Sequence, residues 1–471
     1  MRGMAETVGR RLADAWERTD RIFATLTPDA LLIRPISLRH PFIFYVGHLP
    51  AFAWNHVGGG LLERPSFDPA FDDLFSRGID PDVDDPTHVH DHPDVPDQWP
   101  GVPEVIAYRD RVRAAILDAG AAVAERVPTH LMAREGRALT MVMEHEMMHQ
   151  ETLLYMMQRL PLEQKVRPAW LPPYVLTPGR PGGPIDIPAG TATLGARFEE
   201  LPFGWDNEFA AVEVPVPAFR IDSTPVTNAQ FLAFVEAGGY RRTELWGDED
   251  GVWRGQEGIE HPAVWELIDG RWMYRTLFDR LPLERVADWP VYVSLAEARA
   301  FASWRGERLP TEAEFHRAAF GERPRADGDV TGADGRAAEG ERRLPWGEAV
   351  PAERHGNFGF RQWAPTPVGT HPEGASAWGV QDLIGDGWEW TNTVFAGLPG
   401  FTAYIPGYEG YSADFFDGKH YVMKGGSWAT ADALVRPSFR NWFQARYPYV
   451  FSKFRCVADP SLRIGSTGGT S

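Results

Sequence analysis

A chain of 471 residues, 43% of them hydrophobic, is long enough for two domains with substantial cores. Its formal net charge of −18 excludes the basic footprint of a nucleic-acid binder and disfavours contact with an anionic membrane. One cysteine, Cys456, cannot form an internal disulfide, and no apolar signal core or membrane-spanning apolar run is present, so we expect a cytoplasmic protein.

Residues 1–165 are expected to form a four-helix bundle. Apolar periodicity predicts helices over 5–27, 41–59, 103–126 and 136–160, the second interrupted or kinked near Pro50. The connection over 64–101 is acidic and proline-rich. Four helices with one long connection are typical of a bundle.

The residue composition and hydrophobic pattern of the sequence change after residue 165. A proline-rich linker is predicted over 166–184, followed by a domain over 185–460 and a tail over 461–471. Short apolar runs between turn residues indicate a loop-rich β domain, with helices beginning after Thr227, Ser294 and Thr311. An exposed loop is expected over 324–343. The predicted fold class is therefore α+β.

The fourth helix carries a pair of histidines. His145 and His149 are four residues apart, which places both imidazoles on one face of a helix, where they can bind one metal ion. The run HEMMH also matches the HExxH pattern of zinc proteases. In a bundle the third ligand comes from a facing helix, so His48 is the first candidate and His56 the second. The alternative is that these are buried core histidines.

Two further features lie near this pair. His88, His90 and His92 also have the look of a metal cluster, but their acidic loop favours solvated or substrate-adjacent residues. Met148, beside His149, either fills a gap in the core or lines a substrate pocket.

Several motifs follow one another along the chain. They are the HxxxHxE set His145, His149 and Glu151, then IPAGTATLGA (187–196), FGWDNEF (203–209), TPVTNAQF (224–231), RLPTEAEF (308–315), GDGWEWTNT (385–393), KGGSW (424–428) and RPSFRNW (436–442). Together they resemble the EgtB-type sulfoxide synthases of ergothioneine biosynthesis and their ovothiol and selenoneine relatives. The resemblance implies a DinB-like four-helix bundle followed by a formylglycine-generating-enzyme-like domain, a variant of the C-type lectin fold.

The resemblance also implies an activity. His48, His145 and His149 would bind Fe(II), and the enzyme would be a non-heme iron oxidoreductase. It would use O2 to join the sulfur or selenium of a thiol or selenol donor to the imidazole of hercynine or histidine, with a sulfoxide as product. Its partners would be these small molecules, with no obligate protein partner.

Further residues are carried over from the same resemblance. A tyrosine would donate a proton or hydrogen, with Tyr404, Tyr408 and Tyr411 as candidates and Tyr404 preferred from its distance to RNW. Asn441 and Trp442 would lie near the organic substrate, although a structural role is the alternative for both.

The chain departs from the family pattern at the expected substrate pocket. Phe443 stands where enzymes that use γ-glutamylcysteine have Asp, and Met148 stands where Gln is frequent. Their arginine pair for the peptide carboxylates has no counterpart, with Arg77 the nearest basic residue. A dianionic donor needs such charge-assisted contacts, so free cysteine or a less charged selenium sugar fits better.

Three other functions remain open. A DinB-type thiol transferase would use the same histidines with zinc and without O2. Formylglycine generation would need a cysteine pair to hold copper, and only Cys456 exists. A ligand-binding module without catalysis is the third, since a fold does not by itself imply an activity.

Overall fold

The computed structural model describes residues 2–76, 78, 85, 96–322 and 340–459. Its N-terminal half, residues 2–165, is helical. Within the described ranges this half contains α1 Arg2–Phe23, α2 Phe42–Ala53, α3 Pro69–Leu74, α4 Val102–Asp118, α5 Gly120–Glu125 and α6 Arg137–Arg159. Helices therefore occur in all four places where the periodicity predicts them.

Helix α6 lies at the centre of the N-terminal half, against α1 and α2. Nearly every residue of α6 is buried, including the charged side chains of Glu144, Glu146 and Glu151. All of α2 is buried as well, because its residues are almost wholly apolar or aromatic. The histidines of both helices therefore lie in an interior from which water is largely excluded.

The prediction of an interruption near Pro50 was wrong in detail. Helix α2 runs through Pro50 to Ala53 and continues as a π-helix over Trp54–Leu61. Gly58 permits this wider turn, because a Cβ atom there would lie 2.4 Å from the Trp54 ring. Single π-helical turns are frequent at functional sites.

Two other local differences separate the predicted from the observed helices. The helix predicted over 103–126 is divided at Ala119 into α4 and α5. Helix α3 was not predicted within the connection 64–101, although Asp68 caps it by accepting the amides of Ala70 and Phe71 at 3.1 Å. Both differences involve short helices, for which the apolar period is a weak signal.

The C-terminal half, residues 184–459, contains small sheets joined by long connections. Its strands are β1 Pro184–Ile187, β2 Gly190–Leu194, β3 Val212–Val216, β4 Phe219–Asp222, β5 Trp265–Ile268, β6 Arg271–Arg275, β7 Arg280–Pro282, β8 Trp388–Val394, β9 His420–Lys424, β10 Asn441–Gln444, β11 Ser452–Lys453 and β12 Val457–Ala458. The sheet orders are β1-β4-β12, β2-β3, β5-β6-β7 and β10-β9-β8-β11. In the last sheet β11 pairs parallel to β8, and the other pairs are antiparallel.

The helix starts predicted in this half are confirmed. Thr227, Ser294 and Thr311 each cap a helix by accepting the backbone amide three residues further along the chain. Those helices are α7 Asn228–Glu236, α9 Leu295–Arg305 and α10 Glu312–Phe320. Two short helices, α8 Asp248–Gln256 and α11 Gly410–Ala413, were not predicted.

One hydrophobic core extends through both halves. Trp205, Trp388 and Trp428 of the C-terminal half belong to the same buried cluster as the aromatic side chains of α2 and the methionines of α6. Among the described residues, no helix has both the length and the apolar character needed to cross a bilayer. The predicted tail and most of the loop predicted over 324–343 lie outside the described residues.

A buried ion-pair network joins the two halves. Arg436 contacts Glu144 of α6 at 2.8 Å and Glu208 at 2.6 Å, and both carboxylates are almost completely buried. Trp205 donates its indole N–H to Glu144 at 3.0 Å. A guanidinium between two buried carboxylates offsets a desolvation cost that neither carboxylate could carry alone.

Replacing this arginine is expected to destabilise the protein. In Arg436→Met, Glu144 and Glu208 lose their counter-ion, and the free energy of unfolding should fall by about 3–5 kcal/mol in urea titrations. Burial already raises the pKa of Glu144, and without Arg436 it rises further. When the pKa of a carboxyl is higher in the folded than in the unfolded state, the protein becomes less stable as the pH rises. The loss in free energy of unfolding relative to the wild type should therefore be larger at pH 8 than at pH 5.

The control is Arg242→Met, at the exposed ion pair between Arg242 and Glu244. Exposed pairs contribute little, so this variant should unfold near the wild-type midpoint. Equal midpoints for the two variants would contradict the structural role of Arg436.

Candidate metal site and substrate cavity

Three buried histidines converge where α2 meets α6. The Nε2 atoms of His145 and His149 lie 3.2 Å apart, one helical turn from each other along α6. With His48 of α2 they form a group whose potential ligand atoms all lie within 4.8 Å of one another. The predicted ligand set therefore meets at one point, and each of its imidazoles is at most 7% exposed.

The orientation of His48 is fixed by the backbone. Its Nδ1 lies 2.7 Å from the carbonyl oxygen of Phe75, and a carbonyl only accepts, so Nδ1 carries the proton. The lone pair is then on Nε2, which is buried and has no hydrogen-bond partner among the described residues. Metal-binding histidines commonly use this arrangement to set their tautomer.

The rings beside the ligands are aromatic. Phe44 stacks on His48 with centroids 4.9 Å apart, and Phe52 stacks on His145 at 3.5 Å and 5°. Sequence reasoning missed Phe52, although its position four residues after His48 places it on the same helical face.

The histidines are neutral over the ordinary pH range. Burial lowers the pKa of His48 to about 4. It also lowers the pKa values of His145 and His149 well below the usual range, and the neighbouring histidines add to the shift. Three neutral, buried imidazoles with an unsatisfied nitrogen fit a first-row divalent metal such as iron or zinc.

The second candidate ligand, His56, lies in the wall of the cavity that opens beside the three histidines. It packs against Phe52 at 4.3 Å and Tyr408 at 5.4 Å, and burial lowers its pKa to about 4. It is not part of the ligand group of His48, His145 and His149. The cluster His88, His90 and His92 lies outside the described residues, as does Arg77.

The glutamate of HEMMH does not fit a zinc protease. Glu146 accepts the hydroxyl of Thr19 at 2.5 Å and lies 3.8 Å from Arg113, so its carboxylate is engaged with α1 and α4. In HExxH proteases the glutamate is the general base beside the metal. This geometry argues against that interpretation.

The glutamate of HxxxHxE binds the C-terminal half. Glu151 accepts hydrogen bonds from Trp388 at 2.9 Å, Ser427 at 2.6 Å and Thr430 at 3.0 Å. Burial raises its pKa to about 7, and the three hydrogen bonds oppose that rise. Glu151 therefore holds the interior of α6 against the other half, two residues after His149.

A cavity of about 1070 Å³ opens beside the three histidines, between the two halves. From the N-terminal half it is lined by the three histidines and by Phe52, His56 and Met148. From the C-terminal half it is lined by Tyr408, Glu409, Tyr411, Asn441, Trp442 and Phe443. The predicted substrate-binding residues Met148, Asn441, Trp442 and Phe443 thus all reach the space beside the histidines.

The structure does not bring Tyr404 to this cavity. The Tyr404 hydroxyl donates to the carbonyl of Gly204, and its ring packs edge-on to Phe198 at 5.1 Å. Tyr411 lies in the cavity wall, with its hydroxyl 3.7 Å from the Met148 sulfur. The role predicted for Tyr404 stays a prediction, and the geometry of the cavity favours Tyr411.

The charged side chains of the cavity wall are mostly acidic. Glu409, Asp414 and Asp417 are among the described lining residues, where Arg440 is the sole lysine or arginine. Arg440 is paired with the buried Glu312 at 2.9 Å. The described wall therefore offers no unpaired guanidinium or ammonium group for an anionic substrate.

Comparison with known proteins agrees with this division of the chain. The sulfatase-modifying factor enzyme 1-like domain matches residues 178–460, and the DinB superfamily matches residues 11–153. A formylglycine-generating enzyme of Mycobacterium tuberculosis is 30% identical to this chain, over 59% of this chain and 97% of its own length. The fold is therefore a DinB-like helical domain followed by a formylglycine-generating-enzyme-like, C-type-lectin-like domain, as predicted.

Two relatives share both domains. A hercynine oxygenase of Mycolicibacterium thermoresistibile is 34% identical over 98% of this chain and 97% of its own length. Ergothioneine biosynthesis protein 1 of Neurospora crassa is 31% identical over 94% of this chain and 57% of its own length. The chain belongs to the family of the hercynine oxygenases and ergothioneine biosynthesis proteins.

Removal of any one of the three histidines should abolish metal binding. We expect His48→Ala, His145→Ala and His149→Ala to retain less than about a tenth of the wild-type metal after anaerobic Fe(II) loading and desalting, measured by elemental analysis, because two imidazoles bind far more weakly than three. His56→Ala is the matched control, and it should keep the full metal content. Metal loss in His56→Ala alone would exchange the roles of His48 and His56.

Proposed function

We propose that this protein is an Fe(II)-dependent oxidoreductase of ergothioneine-type biosynthesis. It uses O2 to bond the sulfur or selenium of a small donor to the imidazole of hercynine or histidine. The observation that carries this proposal is the group of three buried, neutral histidines facing a cavity between the domains, in a chain similar over its full length to a hercynine oxygenase. A reducing cytoplasm suits both the thiol donor and the lone, buried Cys456.

The three histidines would hold the iron. Bound to neutral ligands, Fe(II) keeps its charge, and it would supply affinity for a thiolate and electrons for O2 reduction. Phe44 and Phe52, stacked on two of the ligands, keep the imidazole rings in place and exclude water from their faces.

The overall reaction balances without a further oxidant. The S–H bond of the donor and one C–H bond of the imidazole are broken, and a C–S bond forms. One atom of O2 ends on sulfur as the sulfoxide, and the other leaves as water with the two hydrogens. O2 therefore takes up four electrons, two from forming the C–S bond and two from oxidising the sulfur.

Tyr408 and Tyr411 both line the cavity, and we assign the proton or hydrogen donor to Tyr411. Burial raises the pKa of its hydroxyl well above the usual range, and Tyr408 and Asp206 add to the shift, so the group keeps its proton at neutral pH. The hydroxyl lies against Met148, the residue before the ligand His149. We therefore assign to Tyr411 the role that sequence distance gave to Tyr404.

The charges of the cavity bear on the donor. A γ-glutamyl donor carries two carboxylates, and the described wall has acidic side chains and a guanidinium already paired. Phe443 packs on Tyr447 at 5.2 Å and presents an apolar ring to the cavity. Free cysteine or an uncharged selenium sugar therefore suits this cavity better than γ-glutamylcysteine.

Product analysis tests the proposal directly. Protein loaded anaerobically with Fe(II) should consume O2 with hercynine and a donor, and with ¹⁸O2 mass spectrometry should find one labelled oxygen in a C–S product. The kcat/KM for cysteine should exceed that for γ-glutamylcysteine by about tenfold or more, the order of magnitude of one unmet charge contact. Histidine in place of hercynine identifies the acceptor.

The zinc-loaded protein separates this proposal from its alternative. A DinB-type thiol transferase would work with zinc and without O2, so equal turnover with zinc under anaerobic conditions would reject the iron proposal. Iron-loaded protein that binds hercynine but forms no product with any donor would reject it as well.

Replacement of Tyr411 should redirect the reaction. Tyr411→Phe is expected to keep iron and consume O2 but to shift the product from the C–S adduct toward the sulfinic acid of the donor, because no phenol supplies the proton. Tyr404→Phe is the matched control and should keep the wild-type product ratio, since its hydroxyl is bonded to a backbone carbonyl outside the cavity. The reverse result would return the role to Tyr404.

A further inference from the structure

The segment FGWDNEF has no part in the reaction as proposed so far, although its centre is one of the most buried polar stretches of the chain. Asp206, Asn207 and Glu208 form a single 3₁₀ turn, and none of them is more than 1% exposed. Buried carboxylates are costly unless they are paired or serve a purpose. Glu208 has Arg436 as its counter-ion, whereas Asp206 has no basic partner among the residues that the structure describes.

Asp206 and its neighbours hold the residues around Tyr411. The hydroxyl of Ser412, the residue after Tyr411, donates to Asp206 and accepts the side-chain amide of Asn207 at 3.0 Å. Trp205 stacks on the Tyr411 ring with centroids 4.2 Å apart and planes at 29°. Three consecutive residues therefore contact either Tyr411 or the residue that follows it.

The short helix that carries Tyr411 cannot by itself fix the direction in which the Tyr411 hydroxyl points. Helix α11, Gly410–Ala413, is a single turn of four residues, begins with glycine and has no side-chain cap. So short a helix has negligible stability of its own. The position of the Tyr411 hydroxyl is therefore set by contacts from outside the helix.

The segment is in turn tied to the metal-binding helix. Trp205 donates its indole N–H to Glu144, the residue before His145, at 3.0 Å. Arg436 links Glu208 to the same carboxylate. Contacts thus run from the ligand helix α6 through this segment to Tyr411.

We propose that Asp206 is a positioning residue that acts through Ser412 to hold α11 so that the Tyr411 hydroxyl faces the cavity. It does not touch substrate. One carboxylate oxygen accepts from Ser412, and the other is buried without a hydrogen-bond partner among the described residues. The part that Tyr411 plays in the reaction rests on the proposed function, whereas the positioning of α11 does not.

The test uses full-length protein and two readouts. Asp206→Ala and Ser412→Ala each remove one side of the contact, and Ser412→Ala deletes a single oxygen, so it should fold even if Asp206→Ala does not. Backbone amide hydrogen exchange over residues 408–416 should quicken roughly two- to tenfold in Asp206→Ala, the effect of losing one hydrogen bond, and at least as much in Ser412→Ala, which also loses the bond from Asn207. The second readout is the ratio of C–S product to oxidised donor in iron-loaded protein. In both variants this ratio should fall by a similar factor, toward the ratio of the Tyr411→Phe variant.

Three comparisons distinguish positioning from general damage. The double variant should match Ser412→Ala in both readouts, because Asp206 acts through the Ser412 hydroxyl. Asp206→Asn keeps an acceptor for Ser412 and should restore wild-type behaviour. Glu297→Gln changes another buried carboxylate bonded to hydroxyl groups, those of Tyr240 and Ser294, and should alter neither readout.

Hydrogen exchange and the product ratio can each overturn the positioning role of Asp206. Unchanged exchange over 408–416 in Ser412→Ala overturns the proposal, whatever the activity. Faster exchange with an unchanged product ratio, in a protein whose Tyr411→Phe variant does shift that ratio, overturns it too. If the wild type forms no C–S product at all, the proposed function has failed, and the exchange measurement alone decides whether Asp206 positions α11.

Discussion

The carboxylates buried along α6 are the constraint on which the rest of the structure depends. Glu144 and Glu151 lie on either side of the histidine pair, and among the described residues the side chains that bond their carboxylates all belong to the C-terminal half. Arg436 and Trp205 reach Glu144, and Trp388, Ser427 and Thr430 reach Glu151. A carboxylate left in this interior without such partners would cost several kcal/mol. The two domains are therefore joined by polar groups that hold α6 on both sides of His145 and His149.

This constraint explains why the cavity lies at the boundary between the domains. The DinB-like half supplies the three histidines, and the other half closes the space in front of them with Tyr411, Asn441 and Trp442. Because the contacts of Glu144 and Glu151 flank His145 and His149, a shift between the domains would move the ligands relative to that wall. The alignment of the three histidines with the cavity thus depends on a few buried hydrogen bonds at the boundary between the domains.

The sequence predicts those features that depend on local periodicity or on a nearby cap. Helical spacing predicts that His145 and His149 lie on one face. Thr227 and Ser294 predict helix starts, because each side chain accepts the backbone amide three residues further along the chain. His48 follows from the geometry of a bundle. The position of Tyr411 does not follow, because the segment from residue 395 to 416 has no period, and its path is set by contacts with residues 203–209 far away in the chain. The partners of Glu151 are equally non-local.

The order of these contacts along the chain has a consequence for the synthesis of the protein. The three histidines leave the ribosome before Trp388, Ser427 and Thr430, and Glu151 precedes Trp388 by 237 residues. The strands β11 and β12, which complete two sheets, come later still. An emerging N-terminal half thus carries Glu151 without its partners and the three imidazoles without the cavity wall that shields them. Under the proposed function, faithful loading with iron therefore belongs after the segment from Trp388 to Thr430 has been synthesised, and the chain is most open to capture of the wrong metal before that point.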